Sequence, residues 1–128
     1  MSKAEDALRA RGIVNGGDVI KRAVAAGLTP VMLSFTPELT GRGYRPARWA
    51  VVHAEEKTDP GGHWMDYGLK VFAPYWHKGT TAEKRAAARE DAIAWTNEKY
   101  GTTTWAAIPG LRGYLFPTEV VNYIKEKS

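Results

Sequence analysis

Residues 47–75 read ARWAVVHAEEKTDPGGHWMDYGLKVFAPY. Two arms of alternating apolar residues flank Asp59-Pro60-Gly61-Gly62. That tetrad carries turn chemistry: Asp at the first corner, Pro pre-set at the second, and Gly where φ often turns positive. The stretch therefore predicts a β-hairpin with long arms. With Pro60-Gly61 as the loop, Asp59 lies opposite Gly62, Val52 opposite Leu69 and Ala54 opposite Tyr67. Side chains alternate between faces. Ala50, Val52, Ala54, Met65, Tyr67, Leu69 and Val71 then share one face, expected to be buried. His53, Glu55, Asp66 and Lys70 share the other, expected to be half-wet, with Trp49 and Phe72 near its far end. A lone hairpin is marginal in water, so other elements must cover its apolar side.

Outward from the hairpin, the N-terminal side predicts two helices. Ser2-Lys3-Ala4-Glu5 fits a capping box for a helix ending near Arg11, before Gly12. Asn15-Gly16-Gly17-Asp18 is a turn and cap for a second helix over 19–26, with Gly27 at its end. Val19, Ile20, Ala23 and Val24 form its apolar stripe. After Pro30, residues 31–35 (VMLSF) read as a short strand. Residues 36–48, TPELTGRGYRPAR, read as a loop from their Gly and Pro content.

Beyond the hairpin, Thr80-Thr81-Ala82-Glu83 is a second capping box. It opens a long helix to Tyr100, stopped by Gly101. Residues 102–108 predict a strand and 109–113 a loop. Tyr114-Leu115-Phe116 leads into a last helix with Pro117 at its first position, packed by Val120, Val121 and Ile124. The order α-α-β-β-β-α-β-α predicts an α+β domain, 1–128. It has a mainly antiparallel sheet of about four strands around the central hairpin (47–75), with helices packed on one face.

Composition bounds the function. The chain has 128 residues, 44% hydrophobic and 25% charged, which are values of a single globular domain. No run of about 18 apolar residues is present, so no membrane span is expected. No apolar signal-peptide core opens the chain, and there is no Cys. A cytoplasmic location is the expectation. Lack of Cys excludes disulfides and thiolate metal sites. The net charge of +4 leans towards anionic partners, but modestly.

Catalytic constellations are sparse. His53, His63, Asp66 and Glu55 could be imagined around a metal, yet no HxH or HExxH spacing exists. Cross-strand histidines with polar neighbours are the plainer reading. No serine sits in a GxSxG elbow. Glu55, Glu56 and Asp66 cluster near a turn tip, where solvated charge is ordinary. Gly41-Arg42-Gly43 and the Gly110–Gly113 segment lack a phosphate-loop pattern. The expectation is no catalytic residue, no metal and no cofactor.

The remaining signal is basic and aromatic residues interleaved in three segments. These are Arg42, Tyr44, Arg45 and Arg48; Trp76, His77 and Lys78; and Arg112 and Tyr114. Such mixtures suit nucleic acid, where cations meet phosphates and rings stack on bases. They equally suit protein interfaces, where Trp, Tyr and Arg dominate. A plainer alternative is aromatic pins holding loops to the core amid solvated arginines.

The stretch AREDAIAWTNEKYG…WAAIPGLRGYLFPTEVV resembles small uncharacterised proteins of actinobacterial phages. The resemblance implies a phage-type accessory protein in a bacterial cytoplasm, binding a host or phage component. The leading expectation is thus a small non-enzymatic binding module acting through protein–protein contacts. The alternatives are nucleic-acid binding through the basic-aromatic segments, and a metal-dependent or hydrolytic enzyme at the polar face of the hairpin, using His53, His63 and Asp66. A homodimer through Trp49, Val51, Trp64 and Phe72 is a further expectation.

Overall fold

The computed structural model describes residues 3–40, 43–56, 65–101 and 104–127, with side chains outside that description at 36–40, 43–47, 55–56, 65–67 and 127. Along the chain come α1 (Lys3–Ala10), α2 (Gly16–Ala25), β1 (Val31–Thr40), β2 (Gly43–Glu56) and β3 (Met65–Phe72). A 3-10 turn (Pro74–Trp76), α3 (Thr81–Tyr100), β4 (Trp105–Ile108), β5 (Leu111–Pro117) and α4 (Thr118–Lys127) follow. The class is α+β. The sheet has five strands in the order β3-β2-β1-β5-β4, and every neighbouring pair is antiparallel.

The register of the central hairpin is the one the sequence predicts: Val52 pairs with Leu69 and Ala54 with Tyr67. Its turn, 59–62, lies outside the described residues. Its buried face is the opposite of the one expected. Val51 and Phe72 are buried in a cluster with Val31, Leu33, Ala88 and Ala92, beneath α3. Leu69, on the other face, is 59% exposed. The cause lies in His53 and Gly68, which count as polar or neutral in an alternation pattern. They stand opposite each other in the pairing, and the imidazole occupies the space that the missing Gly68 side chain leaves. The ring then packs as an aromatic, 5.2 Å from Trp95 and 6.5 Å from Tyr100. The face expected to be half-wet is therefore the core face, and His53 is buried there, not exposed.

Two further expectations are corrected. Residues 36–40 and 43–48 are not a loop but the distal arms of β1 and β2, paired Thr36 with Arg48, Glu38 with Arg45 and Thr40 with Gly43; residues 41–42 lie outside the described residues. Pro37 is accommodated where the register shifts between Thr36 and Glu38, as proline within a sheet requires. Residues 111–113 are likewise not loop but the start of β5. Pro109-Gly110 is a two-residue turn, with Gly110 at φ +96°. This hairpin supplies the fifth strand, and Pro117 ends it instead of opening α4.

Helices lie on both faces of the sheet, not on one. α3 covers β3, β2 and β1 through Ala88, Ala92 and the half-buried Ile93 and Trp95. Small side chains at 88 and 92 let the helix axis approach closely. On the opposite face α1, α2 and α4 cover β1, β5 and β4 through Leu8, Val19, Ala23, Phe116, Val120, Val121 and Ile124. Each such fully buried aliphatic contributes about 1.5–3 kcal/mol relative to exposure. Arg11 Nη1 donates to the Ile124 carbonyl at 2.7 Å, tying the end of α1 to α4.

At α2 and α3 capping follows the sequence signals, while Ser2, the expected cap of α1, lies outside the described residues. Asn15 Oδ1 accepts from the Asp18 amide at 3.1 Å, and Asp18 Oδ2 accepts from the Asn15 amide at 3.2 Å. Thr80 and Glu83 make the equivalent box at α3. No described helix is long and apolar enough to cross a membrane.

Candidate functional site

The two helical layers are offset diagonally. α3 leaves the β5–β4 side of its own face partly open, and a groove of about 590 Å³ lies there. Leu33 and Phe35 of β1, Trp49 of β2, the turn Pro109-Gly110, and Leu111, Arg112, Tyr114 and Leu115 of β5 line it. Its origin is a divergence of two strands. β1 pairs with β5 only at Leu33–Leu115 and Ser34–Tyr114. The next β5 residue towards its start, Gly113, has φ +88°. That value is open to glycine and strained for other residues, and it turns β5 away while β1 runs on to Thr40.

The floor is apolar and its rim is cationic. The Arg85 guanidinium stands 4.6 Å from the Phe35 ring centroid, and that of Arg89 6.0 Å from the Trp49 ring. Trp49 Nε1 donates to the Arg85 carbonyl at 3.1 Å, so the indole is fixed against α3. Phe35 and Trp49 pack with centroids 4.9 Å apart and ring planes tilted by 44°. Arg112 is exposed on the far wall. No carboxylate lines the groove among the described residues. Rigid aromatics beside arginines form a surface able to take an apolar side chain next to an anionic group; Arg89 also has Glu90 Oε1 at 3.9 Å.

The structure brings some sequence candidates together and separates others. Arg112 and Tyr114 both line the groove. Arg48 is half-buried on β2 and paired with Thr36. Tyr44 and Arg45 pair with Leu39 and Glu38 on the distal arms, their side chains outside the described set. Arg42 lies outside the described residues. Trp76, His77 and Lys78 sit elsewhere. His77 Nε2 meets Asp91 Oδ2 at 2.7 Å. Asp91 and Arg89 are 200° apart around α3 at 100° per residue, on opposite flanks of the helix. Tyr75 and Trp76, each 61% exposed, belong to that second flank.

Sequence reasoning missed Phe35, Trp49, Arg85 and Arg89 as site residues. Arg85 and Arg89 carried a usable signal, since two arginines four apart share one helix face. Of the imagined metal set, His53 is buried under α3, His63 lies outside the described residues, and so do the side chains of Glu55 and Asp66. No group of three or more His, Asp or Glu converges among the described residues.

Comparison of the chain with protein-family models, curated proteins and solved structures finds no match.

Proposed function

We propose that the chain is a small non-enzymatic binding module, of the accessory type that phage-like sequences suggest, and that it holds a protein partner at the β1–β5 groove. The observation that carries this reading is the groove itself: Phe35 and Trp49 at its base, Arg85 and Arg112 at its rim, and no lining carboxylate among the described residues. Charge complementarity selects a segment with an aspartate or glutamate beside a large apolar side chain. Tryptophan, tyrosine and arginine are the residues that most often anchor such contacts.

The experiment compares two baits in host lysate, the natural chain and the double variant Arg85→Glu/Arg112→Glu. Both arginines are exposed, so folding is retained. A protein held by the natural chain and lost by the variant supports the reading. Equal retention by both baits, or no retained protein, defeats it.

A second reading has its own observation. Arg45 and Arg48 lie along one strand arm, β2, which pairs with β1 as a two-stranded ribbon. Two-stranded ribbons enter nucleic-acid grooves. A gel shift that weakens with salt favours this alternative, and absence of binding at about 50 mM salt removes it.

A further inference from the structure

β3 is the outer strand of the sheet, hydrogen-bonded to β2 on one side only. It is eight residues long and contains no proline. An open edge of that length is a template for pairing, and monomeric proteins usually shorten it, bulge it or place proline on it. The opposite edge, β4, has only four residues. Among the described residues, exposed large hydrophobics are five, and three of them, Leu69, Tyr75 and Trp76, lie on β3 or the turn directly after it.

The hydrogen-bonding phase of this edge follows from the ladder. The Ala54 amide donates to the Pro30 carbonyl at 3.0 Å, in line with the pairing of Val31 with His53. Even-numbered residues of β2 therefore bond towards β1, and odd-numbered ones towards β3. His53 pairs with Gly68, so Asp66, Gly68, Lys70 and Phe72 spend their backbone groups on β2. The amides and carbonyls of Met65, Tyr67, Leu69 and Val71 point outward.

We propose that a second copy of this chain pairs with that edge, β3 against β3, about a twofold axis through Gly68. In this register Tyr67 stands opposite Leu69 of the other copy and Met65 opposite Val71. Those four positions are the outward-bonding ones, so every free backbone group between 65 and 71 gains a partner. Asp66 then stands opposite Lys70 of the other copy, twice by symmetry, at non-hydrogen-bonded positions where side chains are nearest. Moving the axis by one residue breaks this match: centred on Leu69, Asp66 meets Phe72, and centred on Tyr67 it meets Gly68. An isologous antiparallel edge pair is the kind of contact closed dimers use. The result is a continuous ten-stranded sheet with the groove of each copy at its far end. This dimer is independent of what the groove binds.

Sedimentation equilibrium tests it on the natural chain and on Asp66→Lys, Lys70→Asp and the double exchange. Circular dichroism melts run in parallel to verify folding. The natural chain is expected to dimerise with concentration. Each single reversal sets like charges opposite each other twice, so it weakens the dimer roughly tenfold. The double exchange restores it. Leu69→Pro removes an outward amide that β2 does not use, and abolishes the dimer. A natural chain that stays monomeric up to about 1 mM overturns the proposal. So does a dimer insensitive to the single reversals, one not restored by the double exchange, or one that survives Leu69→Pro.

Discussion

Gly68→Ala examines the hairpin's buried face at its tightest point. An added Cβ would overlap Cε1 and Nε2 of the His53 ring and stand 3.0 Å from Nδ1. The ring has little room to retreat, with Trp95 at 5.2 Å and Tyr100 at 6.5 Å between centroids. Overpacking of this sort costs about 1–3 kcal/mol. Against that stands a gain of about 0.4–1 kcal/mol from stiffening the unfolded chain. The net expectation is a loss of about 1–2 kcal/mol, or roughly 5 °C in Tm for a chain of this size. His53→Ala should remove the clash, so Gly68→Ala made in that background should be neutral or stabilising. Urea denaturation of the four proteins yields a coupling energy of about 2 kcal/mol. A Gly68→Ala cost that is absent, or is the same in both backgrounds, would refute the reasoning. It would mean that the ring does not lie across Gly68 under α3.

Neighbouring valines should separate the two faces. Val51→Ala, at 0% exposure, should cost about 2–3 kcal/mol in chemical denaturation, and the half-buried Val52→Ala under about 1 kcal/mol. Gly110→Ala should cost about 2–3 kcal/mol by thermal melt, because φ is +96° and a Cβ would come 2.9 Å from the α1 backbone at Ala4 and Glu5. Gly113→Ala, at φ +88° with nothing within 4 Å, should cost only about 1 kcal/mol. Thr80→Ala removes the acceptor of the Glu83 amide and should cost about 1 kcal/mol, seen as lowered helix stability in the melt.

The sequence made the register legible but not the face. Reading Pro60-Gly61 as the loop predicts which residues stand opposite, and Val52 does pair with Leu69. Both faces are comparably apolar, however. Trp49, Val51 and Phe72 compete with Val52, Leu69 and Val71. The decision falls to a histidine and a glycine whose fit is a matter of shape, not hydropathy. The distal arms were hidden by Pro37, Gly41, Gly43 and Pro46, which read as loop punctuation. Pro37 is tolerated because β1 has no β5 partner there and its register with β2 shifts. Gly113 hid the fifth strand in the same way.

Half of the groove was visible in Arg112 and Tyr114. The other half comes from strands and a helix more than thirty residues apart in sequence, and no local pattern reports their meeting. The capping boxes at Asn15 and Thr80 were legible because their chemistry is contained within four residues.

Nuclear Overhauser spectra of the folded chain bear most directly on the arrangement of helix and sheet. Cross-peaks are expected from the His53 ring to the Trp95 indole and the Tyr100 ring, and none from the Leu69 methyls to α3. Contacts between Leu69 and α3, with the His53 ring resonances broadened by a paramagnetic cosolvent, would contradict it.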